Sequence, residues 1–125
     1  GEHAVRGERL RDLYASVGIL IGDSCLSGGV SRYWSDRIPE TLGRGGFLLH
    51  PHVEGLDGHY ADGEHLRTWP AGDWDALAAL IDHYVAHPNE ARVIASQGRA
   101  HVLATATYTV RMRQLLDLLT AERIL

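Results

Sequence analysis

Lysine is absent from the 125-residue sequence, and cysteine, methionine and phenylalanine each occur once. Without lysine there is no G-x-x-x-x-G-K-[ST] loop, which excludes phosphoryl transfer by that route. The single Cys25 cannot form an internal disulfide, which favours a reducing compartment. No apolar run approaches the ~20 residues of a membrane span, and the charged start does not resemble a signal sequence. We therefore expect a soluble, cytoplasmic protein with no membrane span.

Other motifs of enzyme chemistry are missing too. The sequence has no G-x-S-x-G elbow for a nucleophilic serine, and no motif that would activate Cys25. It has eight histidines but neither H-E-x-x-H nor a cysteine pair, so we expect no dedicated metal site and place His83, His87 and His101 on helix surfaces. With 12 basic and 16 acidic residues the net charge is −4, so any phosphate binding must be local.

Helices that alternate with short apolar strands predict one α/β domain with a mostly parallel, Rossmann-like sheet covered on both faces. The expected strands are residues 18–22, 47–50 and 64–69. The expected helices are residues 6–17, 36–42, 89–104 and 107–123, together with one that Asp73 caps. The Asp73 helix should bury Trp74, Leu77, Leu80, Ile81 and Tyr84, and the last helix Val110, Leu115, Leu118 and Leu119.

The carboxyl ends of parallel strands bind ligands, and this rule selects the candidate site. The first strand leads into a loop with Gly28, Gly29, Ser31 and Arg32, and the second ends at His50. The helix that begins near Ser35 adds Arg37 and Glu40. An acid for ribose hydroxyls, cations for a diphosphate and glycines for close backbone approach together suit a nucleotide-sugar site.

Simpler interpretations remain open for each of these residues. Gly28 and Gly29 are equally consistent with a flexible turn. Arg37 is consistent with a solvated surface charge, and Glu40 with a partner for Arg37 or Arg44 at helical spacing. Tyr33 and Trp34 suit either stacking on a ligand or core packing.

Three segments resemble one family of enzymes. They are E-R-L-R-D-L-Y-A-S-V-G-I-L-I-G, then R-I-P-E-T-L-G-R-G-G-F-L-L, and the tail D-A-L-A-A-L-I-D-H-Y-V-A-H-P-N-E-A-R-V-I-A-S-Q-G-R-A-H-V with T-Y-T-V-R-M-R-Q-L-L. Together they resemble the C-terminal, donor-binding half of GT-B glycosyltransferases (glycosyl transferases group 1), closest to the spore-maturation group.

This resemblance implies a role for particular residues. Glu40 falls where the family places its ribose-binding glutamate, Arg37 where an arginine precedes it, and residues 28–32 in the loop that faces the donor diphosphate. Many retaining relatives carry a second glutamate near the position of Arg32, and this departure leaves the donor sugar and the stereochemistry undetermined. The family's N-terminal acceptor domain and the opening of the donor domain are not found in residues 1–125.

We therefore expect a donor domain that binds a nucleotide-diphosphate sugar, needs no other cofactor and transfers a glycosyl group to an unknown acceptor. The chain should be inactive without an acceptor domain. It resembles the C-terminal piece of a transferase that is either truncated or complemented by another polypeptide, a second copy or a partner chain that supplies the missing half. The alternative is a non-catalytic nucleotide-binding or interaction module. A flavodoxin-like regulatory domain is disfavoured, because no acidic phosphoacceptor cluster with a matching lysine is present.

Overall fold

The computed structural model describes residues 4–24 and 32–125. In these ranges the helices are α1 (Gly7–Ser16), α2 (Arg37–Gly43), α3 (Trp74–Ala86), α4 (Pro88–Thr105) and α5 (Tyr108–Ala121). The strands are β1 (Leu20–Ile21), β2 (Leu48–Pro51) and β3 (Arg67–Trp69), and a 3-10 turn covers Leu56–Gly58. The expected α/β class is confirmed, although β1 and β3 are shorter than the sequence pattern predicted.

The three strands form one parallel sheet in the order β1-β2-β3. Successive side chains of a strand point to opposite faces, and the residues at the start of β2 divide accordingly. Leu48 packs with Ile38 and Leu42 of α2, whereas Phe47 and Leu49 pack with residues of α3 and α4. The sheet is therefore covered on both faces, and α4 contributes to both clusters.

Local signals fix the ends of several helices. Asp73 accepts a hydrogen bond from the backbone N–H of Ala76 (2.9 Å) and caps α3 as expected, and Thr107 caps α5 through the N–H of Val110. Pro88 occupies the first turn of α4, where a missing N–H costs nothing. Gly45 follows α2 with φ of 82°, a left-handed conformation that favours glycine.

Two expectations about burial are wrong. Trp74 is 69% exposed, because it is the first residue of α3 and lies at the sheet rim rather than over the sheet. Leu115 and Leu118 are also exposed, since none of the residues of α5 is buried and its packing is confined mainly to α4. The other expected residues of α3 and α5 are half-buried, except Tyr84, which is fully buried.

Candidate functional site

The carboxyl ends of all three strands meet at one rim of the sheet. Ile21, Pro51 and Trp69, the last residues of β1, β2 and β3, line a groove of about 380 Å³ there. The groove also receives Asp23, Ser24, His52, Val53, Trp74 and Leu77. Parallel α/β sheets bind ligands at this position, so the groove lies where the sequence placed the site.

His50 connects the ends of β1 and β2 beneath this rim. Its side chain is buried (1% exposed), with Nε2 2.8 Å from the Ser24 hydroxyl and Nδ1 2.7 Å from the carbonyl oxygen of Pro51. A carbonyl only accepts, so Nδ1 carries the proton and Nε2 accepts from Ser24. Burial lowers the pKa of His50, and the hydrogen bond to Pro51 and the charge of Asp23 oppose this. His50 is thus a neutral structural link, and both of its ring nitrogens already have partners.

Ser24 extends the link to the segment before α2. Its oxygen accepts a hydrogen bond from the backbone N–H of Ser35 at 3.1 Å. The carbonyl of Ser35 in turn accepts from Ile38 in the first turn of α2. Because Pro39 has no N–H and the N–H of Ile38 is already bonded to Ser35, the first turn of α2 offers few donors to an anion.

Arg32 pairs with Glu54, which lies three residues after the end of β2. One guanidinium nitrogen is 3.0 Å from the carboxylate, and both side chains are about two-thirds exposed. A Cβ on Gly55 would lie 3.1 Å from the guanidinium, so the glycine lets Arg32 pass close to the backbone after β2. An exposed pair of this kind contributes about 0–1 kcal/mol, and an anionic ligand can therefore displace Glu54 at little cost.

Glu40 lies on α2 and lines a second cleft of about 570 Å³. Arg44 contacts Glu40 twice: one guanidinium nitrogen lies 3.7 Å from the Glu40 carboxylate and 3.2 Å from the backbone carbonyl oxygen of Glu40. The same guanidinium lies 5.5 Å from the centre of the Tyr14 ring. The (i, i+4) pairing considered for Glu40 is therefore present, and over half of the carboxylate side chain still faces solvent.

The connection between α4 and α5 also lines this Glu40 cleft. Tyr108 is 94% exposed there, and the buried Tyr60 is a further lining residue. Burial raises the pKa of Tyr60, and the nearby charge of Arg111 acts in the opposite direction. Trp34 completes the aromatic lining and packs partly against the core, with its ring 5.2 Å from that of His59.

The structure thus divides the predicted site residues into two groups. His50 lies in β2 and Arg32 pairs with Glu54 after that strand, Glu40 lines the cleft, and Arg37, exposed at the first position of α2, lines neither the cleft nor the rim groove. The segment 34–36 borders the cleft and is bonded to Ser24 at the rim, so it joins the two groups. Gly28, Gly29 and Ser31 lie outside the described residues. Ser24, Glu54 and Arg111 were not singled out from the sequence, although the position of Ser24, three residues after β1, was an available signal.

Comparison with known proteins identifies the family. The family model described as "Glycosyl transferase-like" matches residues 2–117. The chain belongs to this glycosyl transferase-like family. A solved structure of sucrose-phosphate synthase from Thermosynechococcus elongatus matches the glycosyl transferase-like chain with a TM-score of 0.68 and 23% identity, over 88% of this chain and 27% of that one. At this identity the match shows the fold alone, which is that of a GT-B fragment.

The glycosyl transferase-like chain covers only 27% of the length of the synthase chain that it matches. No curated protein matches it. The resemblance found in the sequence is confirmed for the family and the fold, and the spore-maturation subgroup stays a prediction. Within residues 4–24 and 32–125, no helix is both long and apolar enough to cross a membrane.

Proposed function

We propose that this chain is the donor-binding part of a glycosyltransferase and binds a nucleotide-diphosphate sugar between the Glu40 cleft and the sheet rim. The observation that carries the proposal is the composition of the cleft: an acid, Glu40, and an exposed aromatic, Tyr108, line the same space of about 570 Å³. This volume lies within the usual range for small-molecule sites. The family membership supports the same assignment.

Each part of the donor has a matching group. The Glu40 carboxylate suits the ribose hydroxyls, and Arg44 holds that side chain in place. The rings of Trp34 and Tyr108 offer flat surfaces to the base. The diphosphate would extend along the segment 34–36 towards Arg37 and Arg32. There the arginines would stabilise the negative charge that grows on the departing diphosphate, without a metal ion.

Calorimetry with uridine and guanosine diphosphates, and with the corresponding nucleosides, tests this arrangement. Glu40→Gln should weaken diphosphate binding by roughly ten- to a hundredfold, since hydrogen bonds to charged groups contribute about 1.5–3 kcal/mol. It should weaken nucleoside binding as well. Arg37→Gln should weaken binding of the diphosphate but leave nucleoside binding unchanged.

Glu122→Gln, which removes an exposed carboxylate at the end of α5, is the matched control and should bind like the parent chain. If Glu40→Gln binds either diphosphate as tightly as the parent does, Glu40 is not in the site. If no nucleotide binds the parent chain, the proposed function is wrong.

A non-catalytic nucleotide-binding module is the second candidate, and the 27% share of the matched structure favours it for the chain taken alone. Transfer requires an acceptor held against the donor carbon, and a donor site alone does not hold one. We expect the purified 125-residue chain to bind donor yet transfer little or no sugar. Robust transfer by this chain would show that it contains an acceptor site.

A further inference from the structure

Two histidines and a glutamate meet where α3 turns into α4, on the surface of the molecule. His83 and His87 are four residues apart, which places them on the same side of the helix end, and their rings stack with centroids 4.4 Å apart. Glu90 reaches the same point from the first turn of α4. One potential ligand atom from each of the three side chains lies within 4.8 Å of the other two.

The ring orientation of His87 leaves one nitrogen available to a metal. Its Nδ1 is 2.7 Å from the carbonyl oxygen of His83, so Nδ1 carries the proton and donates it to that carbonyl. Nε2 therefore presents its lone pair outwards. A hydrogen bond from the second ring nitrogen to a backbone carbonyl is typical of metal-binding histidines, because it fixes the tautomer and the ring orientation.

Glu90 and His83 provide the other two atoms. Nε2 of His83 lies 2.8 Å from Oε2 of Glu90. A carboxylate only accepts a hydrogen bond, so Nε2 of His83 carries the proton here, and a zinc ion would take the place of that proton between the two atoms. Ligands about 2.0–2.1 Å from a tetrahedral zinc ion are separated by about 3.3 Å. To bind one ion, the stacked rings of His83 and His87 would have to turn so that both lone pairs point at it, and all three side chains are exposed.

We propose that His83, His87 and Glu90 bind one zinc ion and leave its fourth position open to water or to another ligand. Two imidazoles and one carboxylate form a ligand set that suits zinc, whereas magnesium and calcium prefer oxygen ligands alone. The sequence contains neither H-E-x-x-H nor a cysteine pair, which is why no metal site was expected. The H-x-x-x-H-x-x-E spacing of these three residues is a different pattern that runs across a helix junction.

The bound ion would join two helices that meet without a linker. His87 is the last residue before α4 and also the C-cap of α3, with Pro88 directly after it. Binding to the folded state alone raises stability by mass action, so zinc should raise the melting temperature. This site does not depend on the nucleotide-binding proposal, because none of its three side chains lines the Glu40 cleft or the rim groove.

The test is calorimetric titration of the 125-residue chain with zinc chloride after removal of any histidine tag, with thermal unfolding measured alongside. We expect one zinc ion per chain and a higher melting temperature. His87→Gln and Glu90→Gln should each lower zinc affinity by about tenfold or more, since loss of an outer-shell partner alone costs about 10–100-fold. Cobalt substitution provides a second readout, because tetrahedral coordination gives a distinctive visible absorption that His87→Gln should abolish.

Asp82→Asn is the matched control: it removes an exposed acid next to His83 that is not among the three ligands and should leave zinc affinity unchanged. Circular dichroism of each variant without metal checks that it is folded. Absence of zinc binding by the parent chain would overturn the proposal. So would unchanged affinity in both folded ligand variants, or equal loss of affinity in Asp82→Asn.

Discussion

At the scale of single residues, two histidines are kept neutral by their surroundings. Burial lowers the pKa of both His50 and His65 below the ordinary 6.5. The charge of neighbouring His101 lowers the pKa of His65 further, and the charge of Glu64 opposes this. The backbone N–H of Ala61 donates to Nδ1 of His65 at 3.0 Å, and the ring stacks on His101 with centroids 3.9 Å apart. A proton on Nδ1 would abolish the hydrogen bond from Ala61.

This arrangement predicts loss of stability in mild acid. Because the unfolded chain takes up protons on these histidines at higher pH than the folded chain does, the stabilisation is complete above about pH 6.5 and declines as the pH falls through the folded-state pKa values. We expect the free energy of unfolding, measured in urea, to decrease between about pH 7.5 and 5.5. His65→Asn keeps an acceptor for the N–H of Ala61 but does not titrate, so the free energy of unfolding of this variant should decrease less over the same pH range. A flat profile for the parent chain would contradict this interpretation.

A second prediction concerns the hydroxyl of Ser24. Ser24→Ala removes the donor to buried His50 and the acceptor for the backbone N–H of Ser35. Leaving buried polar groups without partners costs about 1–3 kcal/mol, and urea denaturation should detect a loss of that size. Ser96→Ala removes an exposed hydroxyl from α4 and should change stability by less than about 0.5 kcal/mol. Equal stability of the two variants would show that Ser24 does not anchor the rim.

At the scale of the elements, α4 owes its close packing to Gly98. A Cβ at this position would lie 2.3 Å from the backbone oxygen of His65 and 3.3 Å from a methyl group of Leu42. Alanine is the better helix former by about 1 kcal/mol. A carbonyl of the main chain does not yield as a flexible side chain does, so the steric cost should exceed that gain.

Gly98→Ala is therefore expected to destabilise the chain, by about 1–3 kcal/mol in urea or thermal unfolding. Gly58→Ala is the control, because a Cβ at Gly58 has no neighbour within 4 Å and its φ is not in the left-handed region. That variant should be neutral or slightly more stable. If Gly98→Ala were equally stable, the segment around His65 would be able to move away from α4.

The elements themselves could be predicted where the signal was local. Asp73, Pro88 and the glycines after α2 act within a few residues of their own position, and the structure has helix ends at each of them. Trp74 was placed wrongly because helical spacing defines a face but does not tell whether another element covers its first turn. The separation of Glu40 from Arg32 depends on packing between distant segments, so spacing alone could not predict it.

At the scale of the whole molecule, the described sheet is open beside β1. Ile21 is 57% exposed, and with Val17, Ile19, Ile81 and Val85 it lines an apolar groove of about 500 Å³. An edge strand with apolar side chains is prone to pair with another chain. We therefore predict that the isolated chain self-associates through this edge.

Ile21→Lys tests this expectation, since a charge on an edge strand opposes pairing. Sedimentation velocity over a range of micromolar concentrations should show self-association of the parent chain and a monomer for Ile21→Lys. Val93→Lys places the same charge on an equally exposed residue of α4 and should behave like the parent. A parent chain that stays monomeric throughout would contradict the expectation.

The hydrogen-bond register of β1 makes it possible to detect pairing of this edge at a single amide. Leu20 and Gly22 donate their N–H groups to Phe47 and Leu49, so the alternation of a strand turns the N–H of Ile21 the other way, towards the open side. In hydrogen–deuterium exchange the amides of Leu20 and Gly22 should be slow whatever the assembly state. The Ile21 amide should exchange quickly in a dilute monomer and slowly once a neighbouring strand accepts its hydrogen bond. Exchange at this one amide therefore shows whether another strand is paired with the edge.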